Sequence, residues 1–151
     1  MSLFQAMSAS ASALTAERLR LEVVSENLAN IHTTRTAEGG PYRRRVVTMA
    51  PRGRSGFAAA LQQYLGGRRS GMPAATGVQV DGIYEDPRPF QQVYDPGHPD
   101  ADENGFVLLP NVDLAEEMVN LLSATRAYEA NVTAFNAARH MALRALEIGR
   151  R

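Results

Sequence analysis

The 151-residue sequence contains no cysteine and no tryptophan, and all 16 of its basic residues are arginine. Without cysteine, the chain can form no disulfide, no thiolate zinc site and no cysteine nucleophile. Aromatic residues make up only 7% of the chain, which predicts a modest hydrophobic core. The length corresponds to one domain, or to one domain with a subdomain.

Long apolar runs are also missing. No stretch approaches the roughly 20 continuous apolar residues that a transmembrane helix needs. The first 16 residues carry no basic cluster, and serine and glutamine interrupt their apolar residues. We therefore expect no cleaved secretory signal, and a different route if the protein leaves the cytoplasm.

Opposite charges cancel over the whole chain but not within it. The formal net charge is zero, from 16 arginines and 16 acids. Residues 35–69 contain 8 arginines and one acid (+7), whereas residues 81–117 contain 10 acids and one arginine (−9). These two regions could meet between copies of the chain or neutralise each other within one chain, and charge counts leave both arrangements open.

Glycine and proline are almost absent from both ends of the chain. All 8 prolines lie between residues 41 and 110, and 11 of the 12 glycines lie between residues 39 and 105. This distribution predicts helical segments over 1–38 and 111–151 and a small β-rich domain over 39–110. The predicted fold class is mainly α with a β-rich insert (α+β), with the two long terminal helices paired as a coiled coil.

The N-terminal segment has an apolar residue at every seventh position. These residues are Met7, Leu14, Leu21 and Leu28. Ser2 and Gln5 have the spacing of a capping box, which predicts that the helix begins almost at the terminus. Its C-terminal end is expected to fray over 30–34.

The C-terminal segment has a fuller helical pattern. Asp113 and Glu116 form a second capping box and Gly149 is the expected stop, which together predict a helix over 113–148. We expect the seam between the two helices to contain Met7, Leu14, Leu21, Met118, Leu121, Tyr128, Val132 and Phe135.

The middle of the chain has the turn density of short strands. Strands are predicted over 42–50, 77–84, 90–94 and 105–109. A brief helix is predicted over 57–65, bounded by glycines.

Residues 95–103 form the densest polar cluster, with four carboxylates and His98. Such a set could bind a divalent cation, but the spacing of a calcium loop is missing and a solvated turn is favoured. No phosphate-binding loop, nucleophile elbow or paired-histidine motif occurs. The sequence predicts no catalytic residue, no metal, no cofactor and no small-molecule substrate; an enzyme that uses this loop ranks last among the alternatives.

The run Arg43, Arg44 and Arg45 could contact nucleic acid. In a strand, however, Arg43 and Arg45 would lie on one face and Arg44 on the other, so a charged strand edge is favoured and no nucleic-acid partner is predicted. Electrostatic contacts between subunits are the functional alternative. Their candidate residues are Arg43, Arg44, Arg45, Asp95, Asp100 and Asp102.

The remaining class is an interaction protein. The first helix is rich in alanine and serine, and its second heptad position begins with Phe4 and Ala11 but is interrupted by Arg18 and Ser25. Its order is therefore expected to depend on packing against partners. The contrasting hypothesis is a helical-hairpin adaptor that folds alone.

Two signatures at the chain ends resemble a known family. Asn27-Leu28-Ala29-Asn30 resembles the N-terminal signature of the bacterial flagellar rod, hook and hook-associated proteins. Residues 117–120, 126–131 and 135–137 resemble the matching C-terminal signature. Segments 39–44, 94–102 and 105–112 are similar to those of the proximal rod proteins of the FlgC family, with the sister FlgB type as the runner-up. The resemblance leaves out residues 52–76.

The resemblance implies a structural subunit of the flagellar proximal rod, which transmits torque by packing. Such subunits are exported by the flagellar type III system without a cleaved signal and polymerise in the periplasm as part of the basal body. The implied partners are copies of the chain, other rod subunits, the rod base near the MS ring and the export apparatus. The implied assembly motif is Asn27, Leu28, Ala29 and Asn30, although Asn30 could simply end the helix.

Overall fold

A computed structural model of the chain describes residues 3–52 and 77–149. In chain order, the elements are helix α1 (Leu3–Ala29), strands β1 (Arg45–Pro51), β2 (Val78–Glu85), β3 (Gln91–Tyr94) and β4 (Phe106–Leu109), and helix α2 (Leu114–Ile148). Two long helices with a small β region between them confirm the predicted α+β class. The brief helix predicted over 57–65 lies outside the described residues, as does Ser2 of the first capping box.

Helix α1 is 27 residues long. It ends at Ala29, just before the region where fraying was predicted, and a turn follows in which the Asn30 amide donates to the Glu26 carbonyl at 3.1 Å. The Asn30 side chain donates to the same carbonyl at 2.9 Å. The Glu26 carbonyl, in the last turn of α1, therefore accepts from both the backbone and the side chain of Asn30.

Helix α2 is 35 residues long, and its predicted bounds are confirmed. Asp113 is the N-cap, because its Oδ1 accepts hydrogen bonds from the Ala115 amide at 2.8 Å and the Glu116 amide at 3.0 Å. At the other end, the Gly149 amide donates to the Ala145 carbonyl at 3.1 Å.

All four predicted strands are present, with shifted bounds. Strands β1 and β2 form one two-stranded sheet, and β3 and β4 form a second. In the second sheet the strands are antiparallel, with Val93 opposite Val107 and Tyr94 opposite Phe106. The largest shift is in β1, which begins at Arg45 and not at residue 42, because the backbone of residues 42–44 is bonded elsewhere.

The chain divides into two compact units. The first, here called the central unit, contains residues 18–48 and 82–126. Its apolar core is small, with Val23, Val24, Val107, Val112 and Ala124 buried.

The second unit, here called the terminal unit, contains described residues 3–17, 49–52, 77–81 and 127–149. In it, the Val78 amide donates to the Ser12 hydroxyl at 3.0 Å, which attaches the start of β2 to α1. Gly77, next to this contact, has a φ of 114°. No helix among the described residues is both long and apolar enough to span a membrane.

Candidate assembly site

Five polar side chains are buried in the central unit. They are Asn27, Arg44, Asp86, Asn111 and Glu117, here called the polar network. They come from the end of α1, the segment before β1, the loop after β2, and the start of α2 with the segment before it. Buried polar groups are costly unless they are hydrogen-bonded, so the partners of each side chain determine what the network does.

The carboxamide of Asn27 uses its full hydrogen-bonding capacity. Its Nδ2 donates to the Arg45 carbonyl at 2.9 Å and to Glu117 Oε2 at 3.0 Å. Its Oδ1 accepts from the Tyr42 hydroxyl and from the Arg45 amide, both at 2.9 Å. Because an asparagine amide has two donors and two acceptor sites, Asn27 is saturated while it is only 1% exposed.

Glu117 and Arg44 form the ionic centre of the network. Glu117 is completely buried, and its Oε1 accepts from Arg44 Nε at 2.9 Å and from Arg44 Nη2 at 2.7 Å. The guanidinium also contacts Asp86 through Nη1 at 3.0 Å and Glu116 through Nη2 at 2.9 Å. A planar guanidinium can bind several carboxylates in fixed directions, which an ammonium cannot do.

Asp86 and Arg88 extend the network toward solvent. Asp86 Oδ2 accepts from Arg88 Nε at 2.8 Å, and Asp86 Oδ1 accepts from the Arg88 amide at 3.0 Å. The hydrogen bond from the Arg88 side chain, opposed by burial and reinforced by the Arg88 amide and Arg44, lowers the pKa of Asp86 well below its usual range. The Arg88 guanidinium, held by Asp86 and Glu116, has a raised pKa.

Asn111 bonds to backbone in two segments. Its Oδ1 accepts from the Arg44 amide at 2.8 Å, and its Nδ2 donates to the carbonyls of Asp86 and Arg88, both at 3.1 Å. The Asp86 amide in turn donates to the Arg44 carbonyl at 2.8 Å. These bonds occupy the backbone that a strand starting at residue 42 would have used.

The arrangement is suited to holding segments together. Each network member bonds side chains or backbone of other segments, and the carboxylates outnumber the two arginines, Arg44 and Arg88, by one. Within the described part of the chain, no three histidine, aspartate or glutamate side chains are grouped as a metal ion would need. Through its hydrogen bonds between segments, the network fixes how four segments of the chain meet.

The structure separates the two asparagines of the predicted assembly motif. Asn27 lies in the network, whereas Asn30 bonds within its own turn, where its Oδ1 also accepts from the Thr33 hydroxyl at 3.1 Å. Between them, Leu28 is half-buried and Ala29 is exposed.

Most of the predicted seam residues are half-buried. Met7, Leu14, Leu21, Leu121, Tyr128, Val132 and Phe135 belong to this group. Met118 differs, since it is 56% exposed. The fully buried apolar positions of the two helices are Ala16, Val23, Val24, Ala124 and Ala138, so small residues occupy much of the closest packing.

The three consecutive arginines have different environments. Arg44 is buried in the network, whereas Arg43 lies with its guanidinium 4.3 Å from the centre of the Phe90 ring and donates to the Asp86 carbonyl at 3.0 Å. Arg45 is partly exposed and pairs with Glu26 at 2.8 Å. Part of the basic region is therefore neutralised by part of the acidic region within the chain.

The carboxylates of the loop over 95–105 mostly shape the loop itself. Asp95 accepts from the Gly97 amide at 3.2 Å, and Asp102 accepts from the Asn104 amide at 2.9 Å and the Phe106 amide at 2.8 Å. Asp100 instead accepts from the Thr34 hydroxyl at 2.8 Å. The ion pairs described for Arg43–Arg45 do not involve this loop.

The sequence did not single out Asp86, Asn111 or Glu117 as site residues. A usable signal exists for Glu117, because it shares the helical face of Leu121, Ala124 and Tyr128, where a charge needs a buried partner. Asp86 and Asn111 lie in loops and carry no comparable local pattern.

Two family models match this chain, one near each end. The family model described as flagella basal body rod protein matches residues 7–35, and the model described as flagellar basal body rod FlgEFG protein C-terminal matches residues 103–148. Asn27 lies in the first match, and Asn111 and Glu117 lie in the second.

Curated relatives match over nearly the full length. The flagellar basal-body rod protein FlgC of Bacillus subtilis (strain 168) is 49% identical, over 99% of this chain and 100% of the relative. The proteins of the same name from Borreliella burgdorferi and Salmonella typhimurium (strain LT2) are 44% and 38% identical, over 98% and 99% of both chains.

Proposed function

This chain belongs to the FlgC family of flagellar basal-body rod proteins and is a structural subunit of the flagellar proximal rod, and we propose that in this subunit the polar network joins the end of α1 to the start of α2. The observation that carries this proposal is the buried bond between Asn27 and Glu117. It connects the end of α1 to the start of α2, the elements that bear the two family signatures.

We propose that the segments 1–38 and 111–151 form the coiled-coil assembly part of the subunit and that 39–110 forms its β-rich part. The outer portions of both helices carry exposed apolar side chains, among them Phe4 at 78%, Leu146 at 71% and Ile148 at 77% exposure. Covering such side chains with a neighbouring subunit removes apolar surface from water and is favourable. The first turns of α1 and the last turns of α2 therefore become ordered as the subunit joins the growing rod.

The proposed partners are copies of the chain, other rod subunits, the rod base near the MS ring and the flagellar export apparatus. The subunit is delivered by the flagellar type III system without a cleaved signal and polymerises in the periplasm. It works by packing and not by catalysis, as expected from relatives that are structural rod proteins. The names of those relatives favour the FlgC type over the FlgB type.

Amide hydrogen exchange tests the ordering step. In the dilute purified chain, we expect slow exchange for amides of the central unit near Asn27 and Val112. We expect fast exchange for residues 3–15 and 135–148, whose helices have few buried side chains. In isolated rods both sets are protected. Equal protection of the helix ends in the dilute chain would contradict ordering on assembly.

A further inference from the structure

The β3–β4 hairpin presents an apolar outer face. The register places Tyr94 opposite Phe106 and Gln92 opposite Leu108, so these four side chains share one face of the pleated sheet. Tyr94, Phe106 and Leu108 are 65%, 37% and 46% exposed. On the other face, Val107 is 2% exposed and Val93, in strand β3, is 43% exposed. The solvent face of an antiparallel hairpin is usually polar, so this face is a candidate contact surface.

A groove of about 330 Å³ lies along this face. Its lining comprises Thr34, Arg35, Gly40, Asp100, Ala101, Asp102, Phe106 and Leu108. Apolar side chains and charged side chains thus share one depression. An occupant that fits it needs an apolar side chain next to a charged one.

The surroundings of the groove define the charge of that occupant. The loop over 95–105, which supplies three of the lining residues, contains four acids and no arginine. Arg35 approaches Asp100 at 4.0 Å and offsets one of these charges. The remaining negative charge favours a cationic occupant.

The far end of α2 has this chemistry. Met141 and Ile148 are 58% and 77% exposed, and with Arg144 they occupy positions i, i+3 and i+7 of one helical face. Among the described residues, Arg144 forms no ion pair. The sequence from 139 to 151 has four arginines and one glutamate (+3), opposite in sign to the loop.

We propose that this groove binds the Met141, Arg144 and Ile148 face of α2 from a second copy of the chain. Met141 and Ile148 cover Phe106 and Leu108, while Arg144 lies near the acidic loop. The two surfaces are different parts of one chain, so the contact is heterologous and can propagate from copy to copy. The proposal rests on the proposed function, because it names one contact by which the subunit polymerises.

Disulfide cross-linking tests the contact, and the cysteine-free chain gives it a clean background. The variant Leu108→Cys/Met141→Cys is introduced into the parent bacterium, and its basal bodies are isolated and oxidised. We expect a ladder of bands on a non-reducing gel that begins at twice the chain mass, because each copy carries both cysteines and the contact repeats from copy to copy. The matched control is Val119→Cys/Met141→Cys, since Val119 is an exposed apolar residue of α2 that does not line the groove. Each single-cysteine variant is a second control.

Charge reversal then tests the role of Arg144. Adding Arg144→Glu to the cross-linking variant should lower the yield of the double-mass band several-fold. Adding Glu103→Arg as well should restore much of it, because Glu103 is an exposed acid of the loop.

Three outcomes would overturn the proposal. They are the absence of the double-mass band from basal bodies that contain the variant, an equal band from the control pair, and cross-linking to a different rod protein. Absence of the unmodified chain from basal bodies is a separate result, which would contradict the proposed function itself.

Discussion

Asn27 and Glu117 are 90 positions apart in the sequence and share a buried hydrogen bond of 3.0 Å. Their side chains also bond to Tyr42, Arg44 and Arg45, in the segment before β1 and at its start. Because an unpaired buried polar group is costly, these partners favour a single arrangement of the three segments. The closure of the central unit therefore depends on polar groups as well as on its small apolar core.

Replacing Asn27 by alanine should destabilise the central unit strongly. The Asn27→Ala change removes four hydrogen bonds and leaves buried partners unpaired, for an expected loss of about 2–4 kcal/mol in the free energy of unfolding. The control is Asn30→Ala, whose side chain bonds only within the helix-end turn, with an expected loss of under about 1 kcal/mol. Urea unfolding followed by circular dichroism measures both, and equal losses would contradict the account.

Neutralising Glu117 should be more harmful than neutralising its neighbour. In Glu117→Gln, an NH₂ group replaces one carboxylate oxygen and Arg44 loses a buried countercharge, for an expected cost of about 2–4 kcal/mol. Glu116 is a partner of the same guanidinium but its side chain is 41% exposed, so Glu116→Gln should cost under about 1 kcal/mol. Thermal unfolding of the two variants measures both losses in the free energy of unfolding, and a larger loss for Glu116→Gln would refute this ranking.

Acid should weaken the fold partly through Asp86. The hydrogen bond from Arg88 lowers the pKa of the folded-state carboxyl, whereas the unfolded carboxyl has a pKa of about 3.9. As the pH falls, the unfolded chain therefore takes up the proton first. The contribution of Asp86 to the free energy of unfolding is present above about pH 5 and is lost as the pH falls through the folded-state pKa.

The comparison variant for this pH dependence is Asp86→Asn. It should be less stable than the unmodified chain at neutral pH and should lose less stability between neutral pH and about pH 3. Urea midpoints measured across that range test the sign. If the urea midpoints of the two proteins change in parallel with pH, Asp86 does not contribute to the pH dependence of stability.

Gly77 should tolerate no side chain. Its φ of 114° is unfavourable for other residues, and a Cβ there would overlap the Ser12 hydroxyl and approach the Ala9 Cα at 3.3 Å. We expect Gly77→Ala to cost about 1–3 kcal/mol. The control is Gly97→Ala, where the nearest atom to a Cβ is Asp95 Oδ1 at 3.5 Å, and its stability should stay close to that of the unmodified chain. A neutral Gly77→Ala variant would contradict the packing described around Ser12.

The sequence was sufficient to predict the elements because their signals are local. The absence of glycine and proline from the ends indicated the two helices, and Asp113 marked the start of α2 through a cap that the structure contains. The prediction placed the start of strand β1 at residue 42, three residues before its observed start at Arg45. The Arg44 backbone there bonds to Asn111 and Asp86, and no local pattern reports those partners.

The network was only partly predictable for the same reason. Asn27 and Arg44 were singled out, one by resemblance to a family signature and one by a charge run, but their shared partner Glu117 was not. Its position on an apolar helical face indicates a buried charge, whereas the identity of its partners depends on how distant segments meet. The charge totals of residues 35–69 and 81–117 likewise did not show which charges meet, whereas the structure pairs Arg44 with Asp86, Glu116 and Glu117.

The most direct test of the account is cryo-electron microscopy of intact basal bodies that contain this chain. We expect density for both helices, residues 3–29 and 114–148, in the proximal part of the rod, with Asn27 against Glu117 and neighbouring subunits covering the exposed ends of the helices. A rod that is complete without this chain, or the chain in another part of the basal body, would contradict its role as a proximal rod subunit.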